Sequence, residues 1–325
     1  MRPIVLKRLA LFVVGAVVLA YLVTQAGAGS VADYLDNLGL GIFAPILLVG
    51  GQHGLRALAW RFSLNAMDQP IRYRELLRAR LGAEALGYLS LTGAIGSQTS
   101  KVLLLRKGIP ARSGAAAVAV DAAASGIAGV LFVGAALLAC QTVMGLPAWT
   151  SAIGGALVGA GAGAWIMATI WAGQRRHHAD IPPMDDVPSS KTAAARDSMR
   201  LVRVGLVRLH GLPFTIMIGI HIAGHLALTA ATWSILSMLG ISGNAWVGLW
   251  FEAGAKLGNT LGALVPARLG VFEAGVAASA NLLDLAPAAG IAVGLVRRLI
   301  DTLFVAIGLS VTTLWPLRLP HRRAR

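Results

Sequence analysis

Two stretches of this sequence, residues 150–171 and 212–239, contain no Asp, Glu, Lys or Arg. Each exceeds the ~20 residues that an α-helix needs to cross the ~30 Å hydrocarbon core of a bilayer. Residues 9–24, 38–55, 115–140 and 286–314 add further apolar runs. Inside a bilayer a helix satisfies its own backbone hydrogen bonds, which an open strand cannot do. The expected fold is therefore all-α, a polytopic transmembrane helical bundle with about six to eight spans. Composition agrees: charged residues make up 13% of the chain and mean hydropathy is +0.71, whereas a soluble domain carries ~25% charged residues. A chain so poor in charge cannot cover a water-facing surface, which excludes a cytosolic enzyme, a disordered chain and a disulfide scaffold. The single cysteine, Cys140, excludes an intrachain disulfide and any CxxC site.

The net charge of +14 is distributed in runs rather than in a patch. Five basic runs, near the N-terminus, at 56–80, at 101–112, at 172–211 and in the C-terminal tail, hold every Lys and Arg except Lys256, Arg268, Arg297 and Arg298. The loops at 25–37, 141–149 and 240–244 hold none. Cytoplasmic loops of membrane proteins carry the Lys and Arg excess, so both termini and the basic loops are expected in the cytoplasm. Aromatic residues are few and not interleaved with basic ones, so nucleic acid is not an expected partner. The chain reads as one integral membrane domain over 1–325, with a first half (1–171), a cytoplasmic basic loop (172–211) and a second half (212–325). The run at 9–24 is expected to be a retained first helix rather than a cleaved signal.

Residues 81–100 are moderately apolar and Gly-rich, with basic runs on both sides. A single crossing would place one of those runs outside, so the segment is expected to enter and leave from one face as a re-entrant hairpin. Residues 246–283 allow two solutions, a re-entrant pair or crossings that include a short one at 269–283. Broken segments in the two halves that open to opposite faces suggest an inverted repeat, an arrangement that builds midplane substrate sites.

Ionisable residues interrupt the apolar segments at Glu84, Asp121, Glu252, Lys256, Arg268, Glu273, Arg297, Arg298 and Asp301. Each costs about 2.5–3.5 kcal/mol at the centre of a membrane helix, so they must pair or line a polar cavity. Glu252 with Lys256, and Arg297 or Arg298 with Asp301, have the spacing of intrahelical pairs. One Asp cannot neutralise two guanidinium groups, and the surplus suits a phosphate. Glu84, Asp121 and Glu273 lack local partners in sequence and are expected either to be protonated or to pair across the fold with Arg268, Arg297 or Arg298. His221 and His225 are four apart without a third ligand nearby, which favours helix contacts over a metal. No GxSxG, HExxH, P-loop or GxGxxG pattern is present, so neither enzymatic chemistry nor ATP-driven work is expected, and no cofactor or metal.

The stretch Val265-Pro266-Ala267-Arg268-Leu269-Gly270-Val271-Phe272-Glu273-Ala274 resembles the P-G-G-L-G-V-R-E-A signature of the lysylphosphatidylglycerol synthase transmembrane region, also described as flippase-like. Gly294-Leu295-Val296-Arg297-Arg298-Leu299 resembles its Arg-containing last helix, and residues 93–108, with Gly93, Gly96 and Leu104-Leu105-Arg106, resemble its first-half Gly motif. The chain departs from the signature at Ala267, Arg268 and Phe272, and carries Ser97-Gln98-Thr99 where relatives often carry an acid. The resemblance spans roughly residues 5–317. It implies a bacterial inner-membrane protein that handles a lipid, typically flipping an aminoacylated or glycosylated phospholipid, with stand-alone members beside isoprenoid or hopanoid pathways. With a short tail after Leu314, the chain is not expected to make lysyl-lipid itself.

These readings combine into a lipid translocase. The broken-helix motifs, Gly93 and Gly96 with Pro266 and Gly270, would meet at mid-depth. Arg268, Arg297 and Arg298 would hold a headgroup phosphate, with Glu273, Glu84 or Asp121 taking a cationic group or balancing the arginines. The alternative is a non-transporting scaffold for a lipid-biosynthesis enzyme, and a third class is an integral group-transfer enzyme.

Overall fold

The structure is a computed structural model that describes residues 17, 20–36, 38–90, 93–106, 108–174, 191–241, 243–262, 265 and 269–314. Among these residues there is helix and no strand. The helices are α1 (Ala28–Leu35), α2 (Phe43–Asn65, entered through a 3-10 turn at Leu40–Ile42), α3 (Tyr73–Leu89), α4 (Gly93–Leu105), α5 (Ala111–Met144), α6 (Ala148–Gln174), α7 (Lys191–Leu209), α8 (Leu212–Met238), α9 (Ala245–Leu261), α10 (Val271–Asn281) and α11 (Pro287–Leu314). Four stretches, Leu40–Asn65, Ala111–Met144, Ala148–Gln174 and Leu212–Met238, are long and apolar enough to cross a membrane. Helix α11 matches them in length but carries Arg297, Arg298 and Asp301. The expected first helix at 9–24 falls mostly outside the described residues.

The two broken segments are helical hairpins. Helices α3 and α4 run antiparallel: a Cβ on Gly87 would lie 2.7 Å from Ser97 Cα, and one on Gly82 would touch Leu104. Helices α9 and α10 do the same, with Gly254 beside Gly275 and Gly258 beside Val271. At 1.5 Å per residue the 11-residue α10 rises about 17 Å and the 13-residue α4 about 20 Å. Both fall well short of a ~30 Å core. This length favours the paired, re-entrant solution for residues 246–283 over three crossings. The first hairpin is longer than expected. It takes in Arg74, Arg78 and Arg80 of the basic run at 56–80, because the helical register continues unbroken from Tyr73.

The halves repeat as helix, hairpin, long helix: α2, α3–α4, α5, then α8, α9–α10, α11. Helices α2 and α8 form a central antiparallel pair, with Gly41 against Met238, Gln52 against Gly224, and Arg208 donating to the Ala66 carbonyl at 3.2 Å. Each hairpin packs on the long helix of the other half, α3 on α11 and α9 on α5. With its leading helices antiparallel, the repeat is inverted.

The segment at 172–211, expected as a loop, contains helix α7. Its buried Leu201, Val204 and Val207 form an apolar stripe that packs α7 on α5, while Arg200 is exposed and Arg203 half-buried. Arg208 pairs with Asp68 at 2.6 Å and Arg112 with Asp197 at 3.4 Å, which gathers α7 and the turns after α2 and before α5 at one end of the bundle. Helix α6 is apolar all round and packs on α5 at the periphery.

The apolar core divides in two. One cluster, around Trp60, Leu64, Met67, Leu76 and Met217, sits at the α7 end. The other, around Ile235, Leu239, Phe251, Val276 and Ile291, sits at the opposite end. A polar layer lies between them.

Candidate functional site

That layer holds two cavities. The first, of about 250 Å³, lies where the two hairpins face each other across α2 and α11. Its wall includes His53 and Arg56 of α2, Glu84 and Tyr88 of α3, Ser97 of α4, Lys256 and Asn259 of α9, Phe272 of α10, and Arg297, Arg298 and Asp301 of α11. The second, of about 460 Å³, lies between the first hairpin, α5, α8 and α9, and its wall includes Arg80, Lys101, Asp121 and His221. Arg56, Glu84, Ser97, Lys256 and Thr260 border both cavities, so the two adjoin.

Three carboxylates anchor the layer through partners on other helices. Glu252 Oε2 accepts from Arg297 Nη1 at 3.3 Å and from Thr232 Oγ1 at 3.0 Å, and Arg297 Nη1 also donates to Thr232 Oγ1 at 3.0 Å. Glu273 is fully buried and does two jobs. One oxygen accepts the Gly270 N–H at 2.9 Å, capping α10, and the other accepts from Arg298 Nε at 2.7 Å. Gly270 holds φ at +77°, a left-handed turn that favours glycine. Arg298 reaches on to the Tyr88 hydroxyl at 3.2 Å, so Glu273 and Arg298 link the second hairpin to the first. Asp121 lies 3.3 Å from Lys101 Nζ and 3.2 Å from His221 Nε2, joining α5 to α4 and α8.

Glu84, Asp121, Glu252, Lys256, Arg297, Arg298 and Asp301 all border one cavity or both. Glu273 stands behind Arg298. Arg268 and Pro266 lie outside the described residues. Glu273 does pair with Arg298, as the cross-fold expectation had it, whereas Asp121 turns to Lys101 and His221. Arg297 reaches Glu252 across helices, where the sequence spacing had pointed to Asp301. Glu84 accepts from Ser97 Oγ at 3.0 Å, across the first hairpin. Gly96 is buried within α4 and Gly93 begins it, so the break falls before the glycines rather than on them. Ser97, one residue on, and Val265 with Phe272 bring both breaks to the first cavity.

Sequence reasoning missed Arg56, Arg80 and Lys101, which it placed in basic cytoplasmic runs. Lys101 is buried with its Nζ 5.3 Å from the Trp60 ring centroid, and Arg80 is only 3% exposed. The signal that could have found them is helical spacing: Arg80 and Glu84 are four apart on one face of α3. His225 stacks on Phe132 at 4.9 Å, and neither of its ring nitrogens has a hydrogen-bond partner. Among the described residues no group of three His, Cys, Asp or Glu is placed to hold a metal ion.

Two inverted hairpins enclosing a charged interior, within an apolar helical bundle, define an integral membrane protein built around a polar site. The family described as the lysylphosphatidylglycerol synthase TM region matches residues 8–308, and the chain belongs to that family, a membrane domain linked to lipid-related functions. No curated protein matches the chain.

Proposed function

We propose that this protein is a lipid translocase of a bacterial inner membrane, moving a polar-headed lipid between leaflets without chemistry of its own. The headgroup travels through the adjoining cavities while the acyl chains stay in lipid. The observation that carries this reading is the polar layer itself, with two cavities bordered by charged groups between two short hairpins. Burying so many charges is unfavourable, and a passage for a charged headgroup gives them a use. Arg297 and Arg298 hold carboxylates that join helices, so in this reading they position the walls. Lys256 and Arg56 both border the junction of the cavities, where a headgroup would pass. Membership of a lipid-linked family supports the substrate class, with anionic or aminoacylated phospholipids and isoprenoid lipids such as hopanoids in range.

The test is leaflet exchange in proteoliposomes, using a fluorescent phosphatidylglycerol analogue quenched from outside. Wild type is expected to expose nearly all of the probe to quencher, against about half in protein-free liposomes. Thr260→Trp, which fills the junction, is expected to abolish exchange. Exchange at the wild-type rate in Thr260→Trp would remove the cavities from the route.

A second reading rests on the ion pairs. Asp121, Glu252 and Glu273 each have close partners, so the interior is held together without a substrate. A lipid-presenting scaffold for a biosynthetic enzyme would look the same. It predicts no exchange by wild type and co-purification with that enzyme.

A further inference from the structure

We infer that Lys101, Asp121 and His221 form a proton-exchange site, through which this protein moves protons across the membrane. The three side chains come from α4, α5 and α8, and each is no more than 3% exposed. All three border the second cavity. Asp121 Oδ2 accepts from Lys101 Nζ at 3.3 Å, and Oδ1 lies 3.2 Å from His221 Nε2. An ionised carboxylate only accepts, so His221 donates from Nε2. Its Nδ1 has no hydrogen-bond partner. The other charged groups facing the cluster are Arg56 of α2, Arg80 and Glu84 of α3 and Lys256 of α9. Helix α6 carries no charged residue, and α7 meets α5 through Gly205 at Val120. A purely structural ion pair would be served better by arginine, whose fork grips a carboxylate with two hydrogen bonds. Lysine differs in one respect: inside a protein its ammonium can give up a proton, and a guanidinium cannot.

The step balances without a further reactant. One N–H bond of the Lys101 ammonium breaks, the nitrogen keeps the electron pair, and the proton passes to water in the second cavity. Reloading reverses it. While Lys101 is neutral, the Nε2–H of His221 holds the Asp121 carboxylate in place. The proton also sets how tightly the first hairpin is held. Loaded, Lys101 ties α4 to α5 through the ion pair and to α2 through its ammonium, 5.3 Å from the Trp60 ring centroid. Unloaded, it keeps one hydrogen bond from a neutral amine and loses the attraction to the ring. Proton release therefore loosens α4 from two neighbours at once, and movement of the hairpin between the two states carries the proton through. The coupling of that movement to a lipid rests on the translocase reading, whereas the proton site does not.

The experiment reads proton flux into proteoliposomes of the full chain. Pyranine is trapped inside, potassium with valinomycin on both sides collapses any voltage, and the outside is stepped to lower pH. Wild type is expected to acidify the interior faster than protein-free vesicles. Lys101→Arg keeps the cation and the ion pair but not the exchangeable proton. It is expected to fall to the protein-free rate while eluting as wild type on size-exclusion chromatography. A structural ion pair survives that change, so wild-type flux in Lys101→Arg would overturn the inference. If Lys101→Arg does not fold, Lys101→Met with Asp121→Asn replaces the pair by neutral groups of similar volume and is expected to lose the flux in the same way. Wild-type vesicles no faster than empty ones would also overturn it. Leaflet exchange is measured on the same vesicles. Exchange without proton flux counts against the proton site alone, and proton flux without exchange counts against translocation alone.

Discussion

Replacing Arg297 by Met in α11 removes the guanidinium that lies 3.3 Å from Glu252 Oε2 and 3.0 Å from Thr232 Oγ1. Both members of the ion pair are buried, with side chains 8% and 4% exposed. Removing one member of a buried pair typically costs about 3–5 kcal/mol, because the other is left as an uncompensated charge. Thr232 keeps its 3.0 Å hydrogen bond to Glu252, so the low end, about 3 kcal/mol, is expected. Glu252→Gln leaves Arg297 with Thr232 and the Leu228 carbonyl and is expected to cost about 1–2 kcal/mol, the loss of one charged hydrogen bond. The double variant is expected to fall short of the sum by about 2 kcal/mol, since the second change removes a charge that the first has stranded. Reversible unfolding in mixed micelles, followed by circular dichroism against the mole fraction of dodecyl sulfate, measures all four corners of the cycle. Additivity within about 0.5 kcal/mol, or a cost below about 1 kcal/mol for Arg297→Met, would refute the claim that this pair couples α9 to α11.

Glu273→Ala removes an acceptor from both the Gly270 N–H and Arg298, and is expected to destabilise by about 3 kcal/mol or more in the same titration. Gly258→Val is expected to prise the second hairpin apart, since any Cβ there would sit 2.8 Å from the Val271 carbonyl oxygen; loss of the folded species on size-exclusion chromatography checks it. By contrast, Arg208→Ala breaks a pair whose Asp68 side chain is 68% exposed and is expected to cost no more than about 1 kcal/mol. In a Cys140→Ser background, Gly41→Cys with Met238→Cys is expected to form an oxidative crosslink, because a Cβ on Gly41 would lie 3.0 Å from the Met238 side chain. A parallel arrangement of α2 and α8 would leave that pair uncrosslinked.

The helical bundle and its broken segments were legible because both depend on local pattern. Uncharged runs of spanning length declare helices, and the Gly-rich stretch between basic runs at 81–100 points to the first hairpin, whereas residues 246–283, without flanking basic runs, left two solutions open. The pairing of the buried charges was not legible. The i,i+4 rule points Glu252 to Lys256 and Arg297 to Asp301, whereas Glu252 takes Arg297 from the long helix α11 and Asp121 takes Lys101 and His221 from two other helices. Such contacts depend on how the halves cross, which no short window of sequence encodes. Arg80 and Lys101 were hidden for a different reason. Basic residues beside a loop read as solvated, and only the docking of α3 against α11 and of α4 against α5 turns them inward. Helix α7 carries an amphipathic stripe at Leu201, Val204 and Val207, but Arg203 within it and Arg200 and Arg208 on either side masked it.

The central claim is that water reaches the charged interior between the hairpins. Cysteine accessibility tests it directly, because Cys140 is the single native cysteine and Cys140→Ser can still donate to the Trp246 carbonyl. In that background Lys256→Cys borders both cavities, while Leu226→Cys sits on the outward apolar face of α8. Only a hydrated thiol ionises readily enough to react. With a charged, membrane-impermeant methanethiosulfonate in lipid vesicles, Lys256→Cys is predicted to be modified and Leu226→Cys to stay unmodified. An unreactive Lys256→Cys in folded protein, with reagent supplied on both sides of the membrane, would contradict the account.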